Sequence, residues 1–160
     1  MSKNIIFICS GNTCRSPMAK YIFDHEMKLN NISDYISDSA GIFCIAGMPA
    51  SSNAVAALGE IGITEITKHQ SKPVSEGLLQ QSDFIICLTL NIKQTIQINY
   101  PELIKKLHTL KEFDLAARNS RVQDISDPFG SGIAEYRNCR DEIRNCIQGL
   151  VDYIKQEKLK

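Results

Sequence analysis

The start of the chain constrains the fold most, because an apolar strand there runs almost directly into a helix. The run "NIIFI" at residues 4–8 is continuous, apolar and β-branched, which is typical of a strand buried in a parallel sheet. A helix is predicted to begin a few residues later, with Ser16 as its N-cap and Pro17 at its first position. A strand followed at once by a helix indicates a βα unit.

The same alternation continues along the rest of the chain. Further strands are predicted at residues 35–37, 83–90 and 105–110. Further helices are predicted at residues 52–61, 75–81, 91–100 and from about Gly132 onward, with a polar loop at 112–127 before the last helix. The sequence therefore predicts one α/β domain over residues 1–160, with about four parallel strands and helices on both faces. In such sheets, ligands bind beyond the carboxyl ends of the strands.

Composition and charge exclude several classes of protein. The chain has 160 residues, of which 43% are hydrophobic, and its 18 basic and 18 acidic side chains cancel. This balance gives no bulk attraction to nucleic acid or to an anionic membrane. No apolar stretch approaches the ~18 residues of a membrane span and no export signal is recognisable, so we expect a cytoplasmic protein with reduced thiols.

The six cysteines and three histidines do not have the spacing of a metal site. No two cysteines form a Cys-x-x-Cys pair, and the histidines lie far from one another in the sequence. A zinc site is therefore not expected from the pattern of these side chains.

Residues 9–15, "CSGNTCR", join the first strand to the first helix and are suited to hold an anion. Backbone N–H groups at a helix N-terminus point toward such a loop, and the helix dipole adds positive charge. Gly11 permits tight curvature, Asn12 tolerates a left-handed conformation, and Arg15 offers a planar fork of donors for two phosphate oxygens. A thiol in this field ionises readily, so Cys9 is predicted to be a thiolate that faces the anion.

Cysteine and arginine at this spacing also occur without catalysis. The alternative to a nucleophile is a buried structural thiol beside an arginine that begins a helix. The strand before the loop, the helix after it and the glycine within it favour the nucleophile. Ser16 supports the same interpretation, because its hydroxyl can donate a hydrogen bond to the Cys9 sulfur.

A thiolate nucleophile needs an acid for the leaving group, and Asp127 is the strongest candidate. It lies in "SDPFG", residues 126–130, where the following proline holds one carboxylate on a stiff turn before the last helix. Asp124, three residues earlier, is a competing candidate. A plain turn aspartate is the other alternative, since Asp-Pro usually marks a turn.

These motifs together resemble the low-molecular-weight protein phosphatases. The signature of that family is "VCxGNxCRSPxA", and this chain carries "ICSGNTCRSPMA" together with "DSAG" at residues 38–41 and "DPFG" at residues 127–130. The similarity covers nearly the whole length of the chain. It implies a four-stranded parallel sheet flanked by helices, and a reaction that uses no metal ion and no other cofactor.

The resemblance also implies roles for the residues at matching positions. Cys9 is implied to be the nucleophile that forms phosphocysteine, and Arg15 to be the clamp on the phosphate. Asp127 is implied to act first as general acid and then as the base for the attacking water. The residues implied to bind the phosphate are those of the loop and the helix start: Ser10, Gly11, Asn12, Thr13, Cys14, Arg15 and Ser16.

A second set of residues is implied to hold the loop from behind. Asn12, Ser16 and Ser39 belong to this set by the resemblance, and His69 belongs to it on a weaker match. A purely structural histidine is the alternative for His69.

Position 13 and the segment after Asp127 bear on which phosphoryl group is removed. Tyrosine phosphatases of this family usually have a larger aliphatic residue in place of Thr13 and two aromatic residues after Asp-Pro, whereas this chain has Phe129 and then Gly130. In both features it resembles the bacterial protein-arginine phosphatases. The resemblance implies phosphoarginine in proteins as the substrate and inorganic phosphate as the product. The alternatives are that Thr13 is a neutral variant and that the substrate is phosphotyrosine.

The other cysteines carry different expectations. The resemblance suggests a reversible disulfide between Cys9 and Cys14 that inactivates the enzyme under oxidation, and the alternative is a packed small residue at position 14. Three cysteines are expected in the core: Cys87, Cys139 and Cys146. The sequence assigns no role to Cys44.

Two other functions remain open from the residues alone. A thiol-coupled arsenate reductase on the same fold would pass a disulfide to two further cysteines after the third strand, but the sequence has no cysteine between Cys87 and Cys139. A non-catalytic module that binds phosphorylated residues would need Arg15 and the loop amides, but neither Cys9 nor Asp127.

Overall fold

The computed structural model describes residues 1–116 and 121–158, which form a four-stranded parallel sheet with flanking helices. The strands are β1 Lys3–Cys9, β2 Tyr35–Gly41, β3 Phe84–Cys87 and β4 Leu107–Thr109. The helices are α1 Arg15–Leu29, α2 Ser52–Gly59, α3 Glu76–Gln81, α4 Leu90–Asn99 and α5 Ile133–Lys158. Short 3₁₀ turns lie at Glu65–Lys68, Pro101–Lys106 and Leu110–Phe113. The single-domain α/β class and the parallel sheet predicted from the sequence are confirmed.

The strand order β2-β1-β3-β4 places β1 inside the sheet. The chain leaves β1 through α1 toward β2 on one side, and it leaves β3 through α4 toward β4 on the other. Since parallel crossovers are right-handed, α1 and α4 cover opposite faces of the sheet, and α5 returns to pack on α1. The direction of winding reverses between β1 and β3, so the carboxyl end of β1 opens onto the crevice where such sheets bind ligands.

Apolar side chains of the two central strands fill the core. Residues 5–8 and 85–88 are all buried, which is the near-continuous apolar pattern of parallel strands covered on both faces. The rings of Phe7 and Phe23 have centroids 5.5 Å apart and join the sheet to α1. The three cysteines predicted in the core are buried, and burial raises the pKa of each thiol to about 12: Cys87, Cys139 and Cys146. These thiols therefore behave as small apolar side chains.

The predicted N-cap of the first helix is wrong. Helix α1 begins at Arg15 with Cys14 in the N-cap position, and no side chain caps it there. The Ser16 hydroxyl cannot cap the helix because it contacts Cys9 and Asn12 instead. The serine that reads as a cap in the sequence therefore lies in the first turn of the helix, and its hydroxyl contacts the loop before it.

Several element boundaries also differ from the sequence-based prediction. β2 is longer than predicted because it pairs with β1 as far as Gly41, and β4 is shorter, at residues 107–109. The third strand ends at Cys87 because the Thr89 side chain accepts a hydrogen bond from the Ile92 N–H and begins α4. The predicted loop at 112–127 begins within a 3₁₀ turn, and its residues 117–120 lie outside the described residues.

Candidate active site

The loop between β1 and α1 curls around the sulfur of Cys9, which is the last residue of β1. The Asn12 N–H donates a hydrogen bond to Cys9 Sγ across 3.3 Å. Asn12 makes this turn possible by adopting a left-handed backbone with φ of +57°. Gly11 does not have a positive φ, so the left-handed conformation falls on the asparagine and not on the glycine.

A hydroxyl on the other side of the sulfur completes its surroundings. Ser16 Oγ lies 2.9 Å from Cys9 Sγ and accepts a hydrogen bond from Asn12 Nδ2 at 2.7 Å. Because the serine oxygen is the acceptor toward Asn12, its own proton is available to Cys9. The Cys9 sulfur therefore lies between two groups that can donate hydrogen bonds to it, a backbone amide and a hydroxyl.

The Asn12 side chain ties the loop to two other parts of the chain. Its Nδ2 also donates to Ser39 Oγ at 3.0 Å, and its Oδ1 accepts from the Lys72 N–H at 3.0 Å. This amide is fully buried and its polar atoms are satisfied, which fixes the shape of the loop. Asn12 and Ser39 therefore lie where the resemblance implied that supporting residues would be.

His69 contacts the loop from behind through the backbone. Its Nε2 lies 2.6 Å from the carbonyl oxygen of Asn12, and since a carbonyl only accepts, the proton is on Nε2. Burial lowers the pKa of His69, and this effect exceeds the opposing effect of the hydrogen bond to Asn12. A neutral ring with a fixed tautomer therefore holds the loop carbonyl.

The carboxyl end of β2 approaches the loop so closely that only glycine fits there. A Cβ on Gly41 would lie 2.5 Å from the carbonyl oxygen of Ser10 and 2.9 Å from Cys44 Cβ. The next residues hydrogen-bond to the loop, with the Phe43 N–H donating to Ser10 O at 2.9 Å. The end of the "DSAG" motif and the residues after it thus support the backbone of the loop. The half-buried Cys44 lies beside Gly41 in this segment.

Arg15 and Asp127 meet at the edge of the same loop. The Arg15 side chain is buried, with Nη1 donating to the carbonyl oxygen of Ile125 at 3.1 Å and Nη2 lying 3.4 Å from Asp127 Oδ2. The Asp127 side chain is 54% exposed, and its Oδ1 accepts from the Phe129 N–H at 3.1 Å. The carbonyl oxygen of Ile125 therefore fixes the buried Arg15 guanidinium, while the Asp127 carboxylate lies at the solvent-exposed edge of the site.

Asp124, the competing acid, has a different place. Its Oδ1 accepts a hydrogen bond from the Leu90 N–H at 2.8 Å, at the first residue of α4. A carboxylate at a helix N-terminus is stabilised by the helix dipole. The structure thus brings Asp127 to the loop, and it assigns Asp124 to the start of a helix.

These groups enclose a pocket of about 230 Å³. Its lining consists of the loop, the carboxylate and two aromatic rings: Cys9, Ser10, Gly11, Asn12, Thr13, Cys14, Arg15, Phe43, Asp127 and Phe129. The rings of Phe43 and Phe129 are 83% and 75% exposed. Ser16, Ser39 and His69 are buried behind the loop and do not form the pocket wall.

Phe43 is a pocket residue that sequence reasoning missed. It stands two residues after Gly41 in the loop that follows β2. Because β2 is the parallel neighbour of β1, its carboxyl end emerges beside Cys9. The "DSAG" motif and the exposed aromatic after it could have indicated this position.

Several larger clefts lie elsewhere in the described part of the chain, and two of them have more than three times the volume of this pocket. One, of about 790 Å³, lies between the segment after β4 and α5, and the other, of about 810 Å³, lies beside α1. Neither is lined by Cys9, Arg15 or Asp127. The chemistry of its lining, and not its size, therefore identifies the smaller pocket as the candidate active site.

The Cys14 thiol contacts a small polar cluster that sequence reasoning did not predict. Its Sγ lies 3.2 Å from Tyr136 Oη and donates to Ser51 Oγ at 3.4 Å. Burial, reinforced by the Cys14 contact, raises the pKa of Tyr136 to about 12. The ring of Tyr136 on α5 is buried, and its hydroxyl contacts the loop. All six cysteines have free thiols.

Two further features concern metals and membranes. Within residues 1–116 and 121–158, no three His, Cys, Asp or Glu side chains are grouped so that they could hold a metal ion. No helix in that described part of the chain is long and apolar enough to cross a bilayer.

Comparisons with known proteins identify the family of this chain. The model of the family described as low molecular weight phosphotyrosine protein phosphatase matches residues 4–160. A protein-arginine-phosphatase of Bacillus subtilis is 34% identical over 155 residues, covering 97% of this chain and 99% of that protein.

Solved structures give the same result. The YwlE arginine phosphatase of Geobacillus stearothermophilus superposes with a TM-score of 0.87 at 33% identity, covering 98% of this chain and 96% of that one. A cysteine-to-serine mutant of YwlE arginine phosphatase with a phosphorylated active-site serine has a TM-score of 0.86 at 34% identity, covering 95% of each chain. The chain therefore belongs to the low molecular weight phosphotyrosine protein phosphatase family.

Proposed function

We propose that this protein is a cysteine-dependent protein phosphatase that hydrolyses phosphoarginine in proteins through a phosphocysteine intermediate. One observation carries the proposal: Cys9, Arg15 and Asp127 line a single pocket, whose floor is a loop of backbone amides. This arrangement combines a nucleophile, an anion clamp and an acid, which are the three groups that phosphoryl transfer without a metal requires.

In the first step, the Cys9 sulfur attacks phosphorus in line with the leaving group. The S–P bond forms as the P–N bond breaks, and the electron pair of that bond goes to the guanidino nitrogen. Asp127 donates a proton to this nitrogen, so that arginine leaves as a neutral or cationic group and not as an anion. The loop amides and Arg15 stabilise the negative charge on the phosphoryl oxygens in the transition state.

In the second step, water hydrolyses the phosphocysteine. Asp127, now a carboxylate, accepts a proton from the water as its oxygen attacks phosphorus. The S–P bond breaks, inorganic phosphate forms, and the sulfur regains its electron pair. The Asn12 N–H and the Ser16 hydroxyl stabilise the departing thiolate, because both contact Cys9 Sγ in the free enzyme.

The walls of the pocket support a slender substrate. Thr13 lines the pocket with a short side chain, and the rings of Phe43 and Phe129 flank its opening. A planar guanidinium group can stack on an aromatic face and can pair with a carboxylate such as Asp127. The relatives named as arginine phosphatases favour the same substrate class for this chain.

Thr13→Ile is expected to shift the preference of the enzyme from phosphoarginine toward phosphotyrosine. Isoleucine narrows the pocket beside position 13 and removes the threonine hydroxyl from its lining. We therefore expect kcat/KM on phosphoarginine peptides to fall by about 10–100-fold. The measurement is kcat/KM on matched phosphoarginine and phosphotyrosine peptides with one preparation of each variant. Thr95→Ile makes the same exchange at a half-buried position of α4 outside the pocket and serves as the control. An unchanged ratio of the two kcat/KM values in Thr13→Ile would remove Thr13 as the selector.

Phosphotyrosine is the second candidate substrate, because the matching family is described by that activity. Exposed Phe43 and Phe129 can also contact a tyrosine ring. Higher kcat/KM on phosphotyrosine than on phosphoarginine in the wild type would select this alternative. A burst of product from an aryl phosphate, absent in Cys9→Ser, would separate either enzyme from a non-catalytic binding module.

The setting of the reaction is part of the same proposal. We expect the protein to act in the cytoplasm on phosphorylated proteins, with no nucleic acid or membrane partner. Its balanced charge of 18 basic and 18 acidic residues supports this expectation.

We also propose that oxidation switches the enzyme off through Cys9 and Cys14. Peroxide would convert the Cys9 thiolate to a sulfenic acid, and the Cys14 thiol would then displace the oxygen as water to form a disulfide. We expect that a thiol reductant restores activity to the peroxide-treated wild type, whereas Cys14→Ser loses activity permanently as Cys9 oxidises further. Activity assays before and after reductant measure this, and full recovery of oxidised Cys14→Ser would contradict the switch.

A further inference from the structure

The segment that carries Asp127 is fixed to the body of the protein at several points. The Ile125 N–H donates to the carbonyl oxygen of Leu88 at 2.9 Å, next to the end of β3. The carbonyl oxygen of Ser126 accepts a hydrogen bond from the buried Cys139 thiol at 3.5 Å. These contacts fix the backbone immediately before Asp127, but they do not involve a charged group.

A charged pair provides a further attachment through the Ser126 side chain. Ser126 Oγ donates to Glu142 Oε2 at 3.0 Å, and the other carboxylate oxygen, Oε1, lies 3.0 Å from Lys111 Nζ. Glu142 thus joins α5 both to the acid-bearing segment and to the turn after β4. We refer to Lys111, Glu142 and Ser126 together as the α5 bridge.

The ion pair between Lys111 and Glu142 is largely shielded from solvent. The side chains of Lys111 and Glu142 are only 13% and 24% exposed. Burial lowers the pKa of Lys111, but the hydrogen bond and the charge of Glu142 outweigh it, so the net shift is upward and the lysine stays charged. Asp114, whose Oδ2 lies 3.8 Å from Lys111 Nζ, adds to the same effect.

Asp127 itself has few constraints. Its side chain is 54% exposed, and its polar contacts among residues 1–116 and 121–158 are the 3.4 Å pair with Arg15 and the turn hydrogen bond from Phe129. An anionic substrate competes for Arg15, which weakens the first of these contacts during the reaction. The direction of the carboxylate in the loaded enzyme then depends on the backbone of Ser126, which directly precedes it.

We propose that Glu142, held by Lys111, is a positioning residue that keeps the acid-bearing segment in place so that Asp127 can reach the leaving group. The inference rests on the proposed function, in which Asp127 is the general acid. Glu142 lies on α5 behind the segment and does not line the pocket, so it acts only through Ser126 and the backbone.

This role has a signature that a general loss of structure lacks. An acid matters most when the leaving group is strongly basic, and it matters little when the leaving group departs readily as an anion. A misplaced Asp127 therefore lowers kcat/KM, which reports the formation of phosphocysteine, on phosphoarginine and on esters of weakly acidic phenols. It leaves kcat/KM on esters of strongly acidic phenols almost unaffected. The later hydrolysis of phosphocysteine, in which Asp127 acts as base, is common to all substrates and does not enter kcat/KM. A damaged loop or a displaced Arg15 would slow all substrates by a similar factor.

The test is the dependence of kcat/KM on the leaving group in Glu142→Gln. The glutamine carries no charge, so the ion pair with Lys111 is lost, and only one of its two terminal atoms can accept a hydrogen bond. We expect kcat/KM on a phosphoarginine peptide to fall about 10-fold, a part of the ~10²–10⁴-fold that a general acid supplies. On the aryl phosphate with the most acidic phenol, we expect kcat/KM within about twofold of the wild type. An equal loss on all substrates, or no loss on any, would overturn the proposal.

Two further variants keep the result interpretable. Asp152→Asn removes one negative charge from an exposed position roughly 15 Å further along α5 and is expected to leave all rates unchanged. Ser126→Ala removes only an exposed hydroxyl and should reproduce the selective loss if Glu142→Gln does not fold. In the double variant, the loss should be no greater than in Glu142→Gln, because both changes break the same bridge.

The failure of this inference can be distinguished from the failure of the proposed function. A wild-type protein without Cys9-dependent phosphatase activity would overturn both. An active wild type whose Glu142→Gln and Ser126→Ala variants keep the normal leaving-group dependence would overturn only the positioning role.

Discussion

Cys9→Ser is expected to lower kcat on phosphoarginine peptides by at least about 10⁴-fold. A serine hydroxyl is a much weaker nucleophile than the proposed Cys9 thiolate, whose sulfur Asn12 and Ser16 contact. A phosphoryl group that does reach the serine oxygen forms a stable ester, which water hydrolyses slowly. The phosphorylated serine in the matching mutant of YwlE arginine phosphatase is consistent with such a trapped ester.

Steady-state turnover with phosphoarginine and aryl phosphate substrates measures this effect. Cys44→Ser is the matched control, because Cys44 is a half-buried thiol near the loop that does not line the pocket. We expect its kcat/KM to stay within about twofold of the wild type, as for most substitutions away from a site. Residual turnover in Cys9→Ser above a few per cent would assign the nucleophile to another group.

Arg15→Lys is expected to lower kcat/KM by about 10³-fold, with most of the loss in kcat. Lysine keeps the positive charge but lacks the planar fork that can donate to two phosphoryl oxygens at once. It also cannot reproduce both contacts of the buried guanidinium, which are the hydrogen bond to Ile125 O and the pair with Asp127. The transition state, with its charge spread over the phosphoryl oxygens, loses more than the ground state.

Separate values of kcat and KM test this expectation. Lys20→Arg makes the reverse exchange on α1, where the lysine pairs with Asp24 outside the pocket, and should change neither parameter more than about twofold. An Arg15→Lys variant with normal kcat and raised KM would show that Arg15 only binds substrate. Its assignment to transition-state stabilisation would then be wrong.

The β1–loop–α1 unit could be predicted because its signals are local. An apolar β-branched run, an Asn that tolerates a left-handed backbone and a helix start all lie within the first seventeen residues. The strand ends were less predictable, since β2 continues to Gly41 only because β1 is beside it. Ser16 reads as a helix cap in the sequence, and only the folded loop shows that its hydroxyl contacts Cys9.

The rest of the site depends on contacts between distant parts of the chain. Phe43 reaches the pocket because β2 is the neighbour of β1, and Tyr136 reaches Cys14 because α5 packs on α1. Glu142 has no local motif at all, and its place behind the acid-bearing segment follows from the packing of α5. The residues proposed to perform the chemistry could therefore be found in the sequence, whereas the residues that hold them in place could be found only in the fold.

The central claim is that Cys9 carries the phosphoryl group during turnover. Its most direct test is rapid quenching of the wild-type enzyme with a phosphoarginine peptide, followed by mass spectrometry of the digested protein. We expect the mass of one phosphoryl group on the fragment that contains Cys9, appearing before free phosphate and absent in Cys9→Ser. A phosphoryl group on any other residue, or turnover with no phosphorylated enzyme at any time, would contradict the account.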